Sequence, residues 1–152
     1  PFTGIKVALI PALILDVGLI HVHRADRYGN CQIEGITGFG VEMARASKRL
    51  IVSAEEIVPT EEIRRYPERT AIPYYLVDAV LHAPFGSHPG EMAYLYCRDE
   101  PEIQRWVEAN DTAESAAAYL QQTVYDLAGH DAYLDWVGEA RLAALREGRE
   151  RR

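Results

Sequence analysis

An α/β fold, with a largely parallel sheet in its first half and a helical layer in its second, is what this 152-residue sequence predicts. Three observations carry that expectation. Short, almost unbroken apolar runs lie at 5–10 (IKVALI), 17–22 (VGLIHV) and 50–54 (LIVSA), as suits strands buried on both faces of a parallel sheet. From Pro101 onward apolar residues recur at 3–4 spacing, the period of a helix packed on one side. Apolar residues make up 48% of the chain and charged residues 26%, enough to fill one core and too apolar for a disordered chain. A single domain over 1–152 is expected.

The elements follow in order. The run 5–10 comes after a Thr-Gly turn and reads as the first strand. Residues 7–15 (VALIPALIL) imitate the core of a signal peptide. Pro11 breaks the run, Asp16 follows, and no small-x-small cleavage site comes next. It also falls short of the ~20 residues that span a bilayer, so a buried strand plus turn is expected. The second strand is 17–22, and 41–47 (VEMARAS) makes a short helix before the third strand at 50–54. Thr60 with Glu61 and Glu62 reads as a helix start with Thr60 as N-cap, closed by Pro67. A fourth strand fits 77–83 (VDAVLHA). Asp99-Glu100-Pro101 opens a helix with Ile103, Trp106 and Val107 on one face. Asp111 or Thr112 starts the next, carrying Ala116, Tyr119, Leu120, Thr123 and Val124 and ended by Gly129. Asp131 caps a last helix through Tyr133, Leu134, Val137, Ala140 and Leu145, and 146–152 is its charged end.

Charge and cysteine content exclude several functions. Lys and Arg number 16 against 23 Asp and Glu, a formal charge of −7. That argues against a general nucleic-acid binder, which needs a basic face. Cys31 and Cys97 stand far apart with no CxxC pattern, so neither a disulfide framework nor a zinc site is expected. Reduced thiols and a cytoplasmic, non-membrane protein fit best. The chain begins at Pro1 rather than Met, so a processed, truncated or excised piece is expected.

Two loops draw attention. His21-Val22-His23-Arg24-Ala25-Asp26-Arg27-Tyr28-Gly29-Asn30 runs from an apolar strand into a polar cluster and a Gly-Asn turn. Ligands of open α/β sheets sit at the C-terminal ends of strands. His21 and His23 point the same way along a strand, but no third metal ligand is evident. The cluster is either a ligand-facing loop or a polar strand end whose groups pair with one another. The second loop, 83–91, holds two Gly, two Pro and His88. It is either a shaped site loop or a plain strand-to-helix connection. Glu55 and Glu56 could do acid–base or nucleophilic work, or simply be solvated. Asp78 is a structural acid or a site acid. Ser87 beside His88 does not form a G-x-S-x-G elbow, and there is neither a GxGxxG nor a P-loop.

Several blocks together resemble one family. They are Pro1-Phe2-Thr3-Gly4, the stretch from Ile20 to Ile33 (IHVHRADRYGNCQI), Ala46-Ser47-Lys48-Arg49, Glu55-Glu56-Ile57-Val58, Ile72-Pro73-Tyr74, Val77-Asp78-Ala79-Val80 and Ala83-Pro84-Phe85-Gly86-Ser87-His88-Pro89-Gly90, ending near Tyr96. In order and spacing they resemble the C-terminal half of the α-type (A-type) subunit of family I CoA-transferases, in the glutaconate CoA-transferase branch, over about residues 1–110. The resemblance implies a three-layer α/β/α unit with an open, largely parallel sheet of the ribose-phosphate isomerase type. It implies α-type and β-type subunits meeting at or near the active site. There a glutamate attacks an acyl-CoA thioester, and CoA passes to a carboxylic acid by way of a glutamyl-CoA thioester. Backbone N–H groups would stabilise the oxyanions.

The family's α-type subunit is about twice this length, and in glutaconate-type enzymes the nucleophile belongs to the β-type subunit. Glu55, Glu56 and Glu91 are therefore not assigned as nucleophile, and the catalytic residue is left unknown. Substrate or CoA pocket candidates are His23, Arg24, Asp26, Gly29, Asn30, Gln32, Phe85, Gly86, Ser87, His88 and Gly90. The resemblance implies no permanent cofactor and no metal, with a coenzyme A thioester as substrate. Implied partners are a missing N-terminal half and a β-type subunit in a hetero-oligomer, with no turnover by this chain alone. Two alternatives remain: a CoA-ester ring-opening hydrolase subunit of steroid or aromatic breakdown, and a non-catalytic assembly domain.

Overall fold

The structure, a computed structural model, describes residues 3–150. The expectations for Pro1, Phe2 and the last two residues of the tail lie outside the described residues. Five strands form one open, mixed sheet in the order β4-β2-β1-β3-β5. They are β1 (Gly18–Ala25), β2 (Cys31–Gln32), β3 (Leu50–Ile57), β4 (Thr70–Ile72) and β5 (Ala79–His82). The three apolar strands β1, β3 and β5 run parallel, while β2 and β4 add antiparallel at one edge. Six helices follow the chain: α1 (Gly40–Ala46), α2 (Thr60–Arg65), α3 (Glu100–Ala109), α4 (Ala113–Leu120), α5 (His130–Val137) and α6 (Glu139–Glu150).

One face of the sheet makes the core. Ile20 and Val22 of β1 and Leu50, Val52 and Ala54 of β3 point into it and meet Ala44 of α1 and Ile72 of β4. Leu76, Val77 and Val80 close its rim. A second, smaller cluster holds the helical layer. Phe85, Met92 and Tyr96 pack against Leu134 of α5 and Leu142 and Leu145 of α6.

Several expectations are corrected. The run 5–10 is no strand, and residues 3–14 carry no regular structure. Leu9 is 93% exposed, and Ile5, Val7, Ile10, Leu13 and Ile14 are also largely in solvent. Only the end of this arm is pinned, where Leu15 exchanges backbone hydrogen bonds with Ala46 and Lys48. Apolar periodicity marks residues that gain from burial; it does not supply the surface that buries them. The strands are likewise not buried on both faces, since Leu19, Ala79 and Leu81 stand exposed opposite the core. The short edge strands β2 and β4 carry too few residues to show a period.

Helix ends shift for local reasons. Thr60 is the first residue of α2 rather than its cap, the N-cap position being Pro59, and its hydroxyl serves Asp26 instead. Thr112, not Asp111, caps α4 through a reciprocal capping box with Ser115. The helix then loosens into a π-turn at Gln121–Tyr125. The last helix is two helices, because Gly138 at φ +89 separates α5 from α6. The helix opened at 99–101 is present as α3, and Asp99 caps it by accepting from the Glu102 N–H.

Leu50→Ala should lower stability by about 2–4 kcal/mol by opening a cavity in the closed face. Leu19→Ala should cost under about 1 kcal/mol in this chain, because that side chain is already wet. Urea unfolding of both variants checks the pair; similar losses would contradict the one-sided core.

Candidate functional site

The parallel strands end together, and their C-terminal ends carry the polar cluster. Register sets His21 beside Ser53 and Glu55 two residues further along the same face of β3. His21 Nε2 donates to Glu55 Oε1 at 2.7 Å, and Ser53 Oγ lies 2.8 Å from His21 Nδ1. Two more donors reach Glu55 from the next loop. The Tyr96 hydroxyl donates to Oε1, and the Phe85 N–H donates to Oε2 at 2.7 Å. The Tyr96 oxygen in turn accepts the Ser87 N–H at 3.1 Å.

Burial alone would push the Glu55 carboxyl up. The donors from His21, Tyr96 and Phe85 outweigh it, and the group sits below its ordinary value. Burial, and then the neighbouring Glu55 charge, push the Tyr96 phenol well up, so it stays a donor. Both carboxylate oxygens are engaged and the side chain is 8% exposed. Glu55 is therefore built as a clamp rather than a free nucleophile.

What Glu55 clamps is a strained loop. Phe85 stands at φ +57, a left-handed backbone that costs a bulky residue about 1–3 kcal/mol. The Glu55 bond, a stack on Tyr96 at 4.6 Å between centroids and the Arg146 guanidinium 4.5 Å from the Phe85 ring centre hold it there. Gly86 is required because a Cβ there would sit 2.5 Å from His21 Cε1. The backbone donors of this loop are consumed within the protein. Gly86 bonds Ala83, Ser87 bonds Tyr96, and His88 bonds Phe85, so residues 85–88 offer no oxyanion hole.

The candidate residues fall into three places. His23 and Arg24 line a cleft of about 580 Å³ with Glu34, Glu55, Glu56, Pro84, Tyr96, Arg146 and Glu147. His23 Nδ1 accepts the Glu34 N–H and Nε2 donates to the Ala93 carbonyl, which fixes its ring. Arg24 pairs with Glu56 across the strand ends at 3.1 Å. Four carboxylates against two guanidiniums leave this cleft electronegative.

Asp26, Gly29 and Asn30 form a self-contained turn instead. Asp26 accepts from the Tyr28 and Asn30 N–H groups and from Asn30 Nδ2, and Asn30 Oδ1 accepts the Tyr74 N–H. Burial raises Asp26, but these donors and Thr60 hold it below its ordinary value. Gly29 at φ +98 leaves no room for a Cβ, which would lie 2.8 Å from Val77. Asn30 opens on a different cleft, between Thr60, Ile63, Arg64 and Tyr74. Gln32 is buried on β2.

Phe85, Gly86 and Ser87 belong to the clamped loop, and a Cβ on Gly90 would meet the Ser87 carbonyl at 2.8 Å. His88 is sealed under the helical layer. It accepts from the Tyr133 hydroxyl at 2.6 Å and donates to Asp99 Oδ2 at 3.0 Å. Asp99 also takes two bonds from Arg141 of α6. Asp78 is structural, binding Arg49 and the Leu50 N–H at the opposite end of the strands from the cleft. Among the described residues no group of three or more His, Cys, Asp or Glu could hold a metal ion, and no helix is long and apolar enough to cross a membrane.

Sequence reasoning set Glu55 aside and did not single out Ser53, Tyr96 or Arg146. A signal for part of this was present. Once 17–22 and 50–54 are paired in parallel, alternation puts the two histidines and the Ser53–Glu55 side on one face.

Residues 1–83 match the family described as Coenzyme A transferase. An uncharacterised protein of Archaeoglobus fulgidus is 52% identical over 96% of this chain and 33% of its own length. The A-type subunit of glutaconate CoA-transferase from Acidaminococcus fermentans is 39% identical over 94% of this chain and 45% of its own. The crystal structure of that glutaconate coenzyme A-transferase superposes with a TM-score of 0.90 over 95% of this chain and 45% of the solved one. The chain thus spans less than half the length of these relatives.

Glu55→Gln should cost about 3 kcal/mol, because an amide cannot accept from all three donors in their buried places. The acid dependence follows from the lowered carboxyls of Glu55, Asp26 and Asp99. Each protonates less readily folded than unfolded, so the stability they lend is present at neutral pH and drains as pH falls below about 5. Urea midpoints from pH 8 to 3 should be flat and then fall, less steeply in Glu55→Gln. A midpoint that rises on acidification would contradict the assignment.

Proposed function

Because the chain belongs to the coenzyme A transferase family, we propose that it forms part of an A-type subunit moving coenzyme A between an acyl-CoA and a carboxylic acid. The observation that carries this is the likeness to the A-type subunit of glutaconate CoA-transferase, in sequence and in backbone alike, across nearly the whole chain. The electronegative cleft fits the same proposal. It lacks the net positive charge that a polyphosphorylated thioester needs, and its half-buried carboxylate, Glu55, has both oxygens engaged, so in this proposal a partner B-type subunit supplies both the charge and the nucleophile.

In the proposed reaction a partner glutamate attacks the thioester carbonyl and the CoA thiolate leaves, giving a mixed anhydride. The thiolate then attacks the glutamyl carbonyl, releasing the acid and leaving a glutamyl-CoA thioester. The acceptor acid takes the CoA by the same steps in reverse. This chain contributes shape. The clamped 84–90 loop and the ends of β1 and β3 form one rigid wall of the site. Oxyanion donors come from outside residues 85–88, whose N–H groups are spent. No resident cofactor is part of the proposal, the chain is inactive alone, and a cytoplasmic setting suits the chemistry.

The test uses the natural protein purified with whatever accompanies it. Acyl-CoA turnover should require an added carboxylic acid, and borohydride trapping should leave its mark on a glutamate of the partner. This 152-residue chain alone should show no turnover. Equal turnover without acceptor acid would replace the proposal with a hydrolase, and turnover by the chain alone would refute the division of labour.

A further inference from the structure

The Asp26 turn builds one wall of a second cleft, which shares no lining residue with the cleft at Glu55. Asp26 is fully buried. Its carboxylate is met by the Tyr28 and Asn30 N–H groups, by Asn30 Nδ2 and by Thr60, so it turns no open lone pair outward. Asn30 Oδ1 then accepts the Tyr74 N–H at 3.2 Å. The backbone that carries Tyr28 and Tyr74 is thereby fixed, while their rings stay 53% and 58% exposed. With Asn30, Thr60 and Arg64 these rings line a hollow of about 430 Å³ that has no carboxylate in its wall. A neighbouring hollow of about 560 Å³ shares Tyr28, Thr60 and Arg64 and adds Arg27 and Glu61. Small-molecule sites have volumes of ~300–1,000 Å³.

Charge sets this corner apart. The chain carries −7 overall, and Arg24, Arg49, Arg98, Arg105 and Arg141 are each paired with a carboxylate. Among the described residues Arg27 and Arg64 make no ion pair. Arg27 instead lies on Tyr28, its guanidinium 4.7 Å from the ring centre and Nη2 donating to the hydroxyl at 2.5 Å. Planar guanidiniums match phosphate oxygens two at a time. An extended polyanion such as nucleic acid would meet the acidic remainder of the surface, whereas a ligand one or two phosphates long meets only this corner. The exposed Tyr74 ring beside Arg64 adds a face on which a base can stack.

We propose that this corner binds a phosphorylated nucleoside, with its phosphates on Arg27 and Arg64 and its base on Tyr74. That chemistry has two sources, a free nucleotide and the nucleotide end of a coenzyme A thioester. The site goes beyond the transfer reaction proposed above and stands without it.

The test is calorimetric titration of the natural protein, purified with whatever accompanies it, with ADP, inorganic pyrophosphate and CoA in turn. Arg27→Gln and Arg64→Gln should each weaken ADP binding by about tenfold. Tyr74→Ala should weaken ADP and leave pyrophosphate unchanged. All three side chains are exposed, so unfolding midpoints should match the parent and show that each variant folds. No ADP binding at millimolar concentration would overturn the proposal, and so would unchanged ADP affinity in either arginine variant. ADP binding no tighter than pyrophosphate, or unaffected by Tyr74→Ala, would leave an anion site and overturn the nucleoside. CoA that displaces the arginine-dependent ADP puts the nucleotide end of the thioester here, whereas ADP that stays bound in saturating CoA puts a free nucleotide here. Turnover is not read, so the transferase proposal stands or falls separately.

Discussion

A carboxylate taken out of water costs several kcal/mol unless donors meet its lone pairs. Glu55 is such a group, and the rest of the strand-end architecture depends on how it is met. Its three donors come from three separate places, β1, the loop after β5, and Tyr96. The same bonds that make its burial tolerable therefore fix where the loop lies relative to the sheet. The loop could not hold itself there, because Phe85 sits in a backbone region that resists a large side chain.

From this clamp the order spreads outward. The loop seats Phe85 and Tyr96 for the second apolar cluster and carries His88 into the helical layer. There Asp99 gathers His88 and Arg141, caps α3, and lies beside Glu102, itself bonded to Tyr119 of α4. A chain of buried, satisfied polar groups thus links sheet, loop and helices. Such networks rigidify when every member is paired, and among the described residues no buried side-chain polar atom lacks a partner. A fixed wall beside an electronegative cleft is what a subunit that shapes a site without carrying its nucleophile would present.

Much of the fold was legible. Two of the apolar runs became β1 and β3, and β5 lies within 77–83. The helix starts at Asp99 and Thr112 were visible in the sequence, since capping depends on neighbours three residues away. The failures share a cause. The arm at 5–14, the exposed rows of β1 and β5 and the loosened end of α4 all turn on what lies beside them in space. At the site, residue type drew attention to both loops, yet the roles divided in ways that no spacing shows. Asn30 and His88 turn their polar atoms to internal partners. Glu55 gains its importance from residues 30 to 41 positions away.

The most direct test of the clamp is the carboxyl titration of Glu55, read by carbon-13 NMR in the folded protein with Glu55→Gln to assign the signal. A clamp of three donors predicts a titration below the ordinary glutamate value of about 4.3. A carboxyl that titrates at or above that value would mean burial prevails over the donors, and the arrangement of loop and strands described above would lose its anchor.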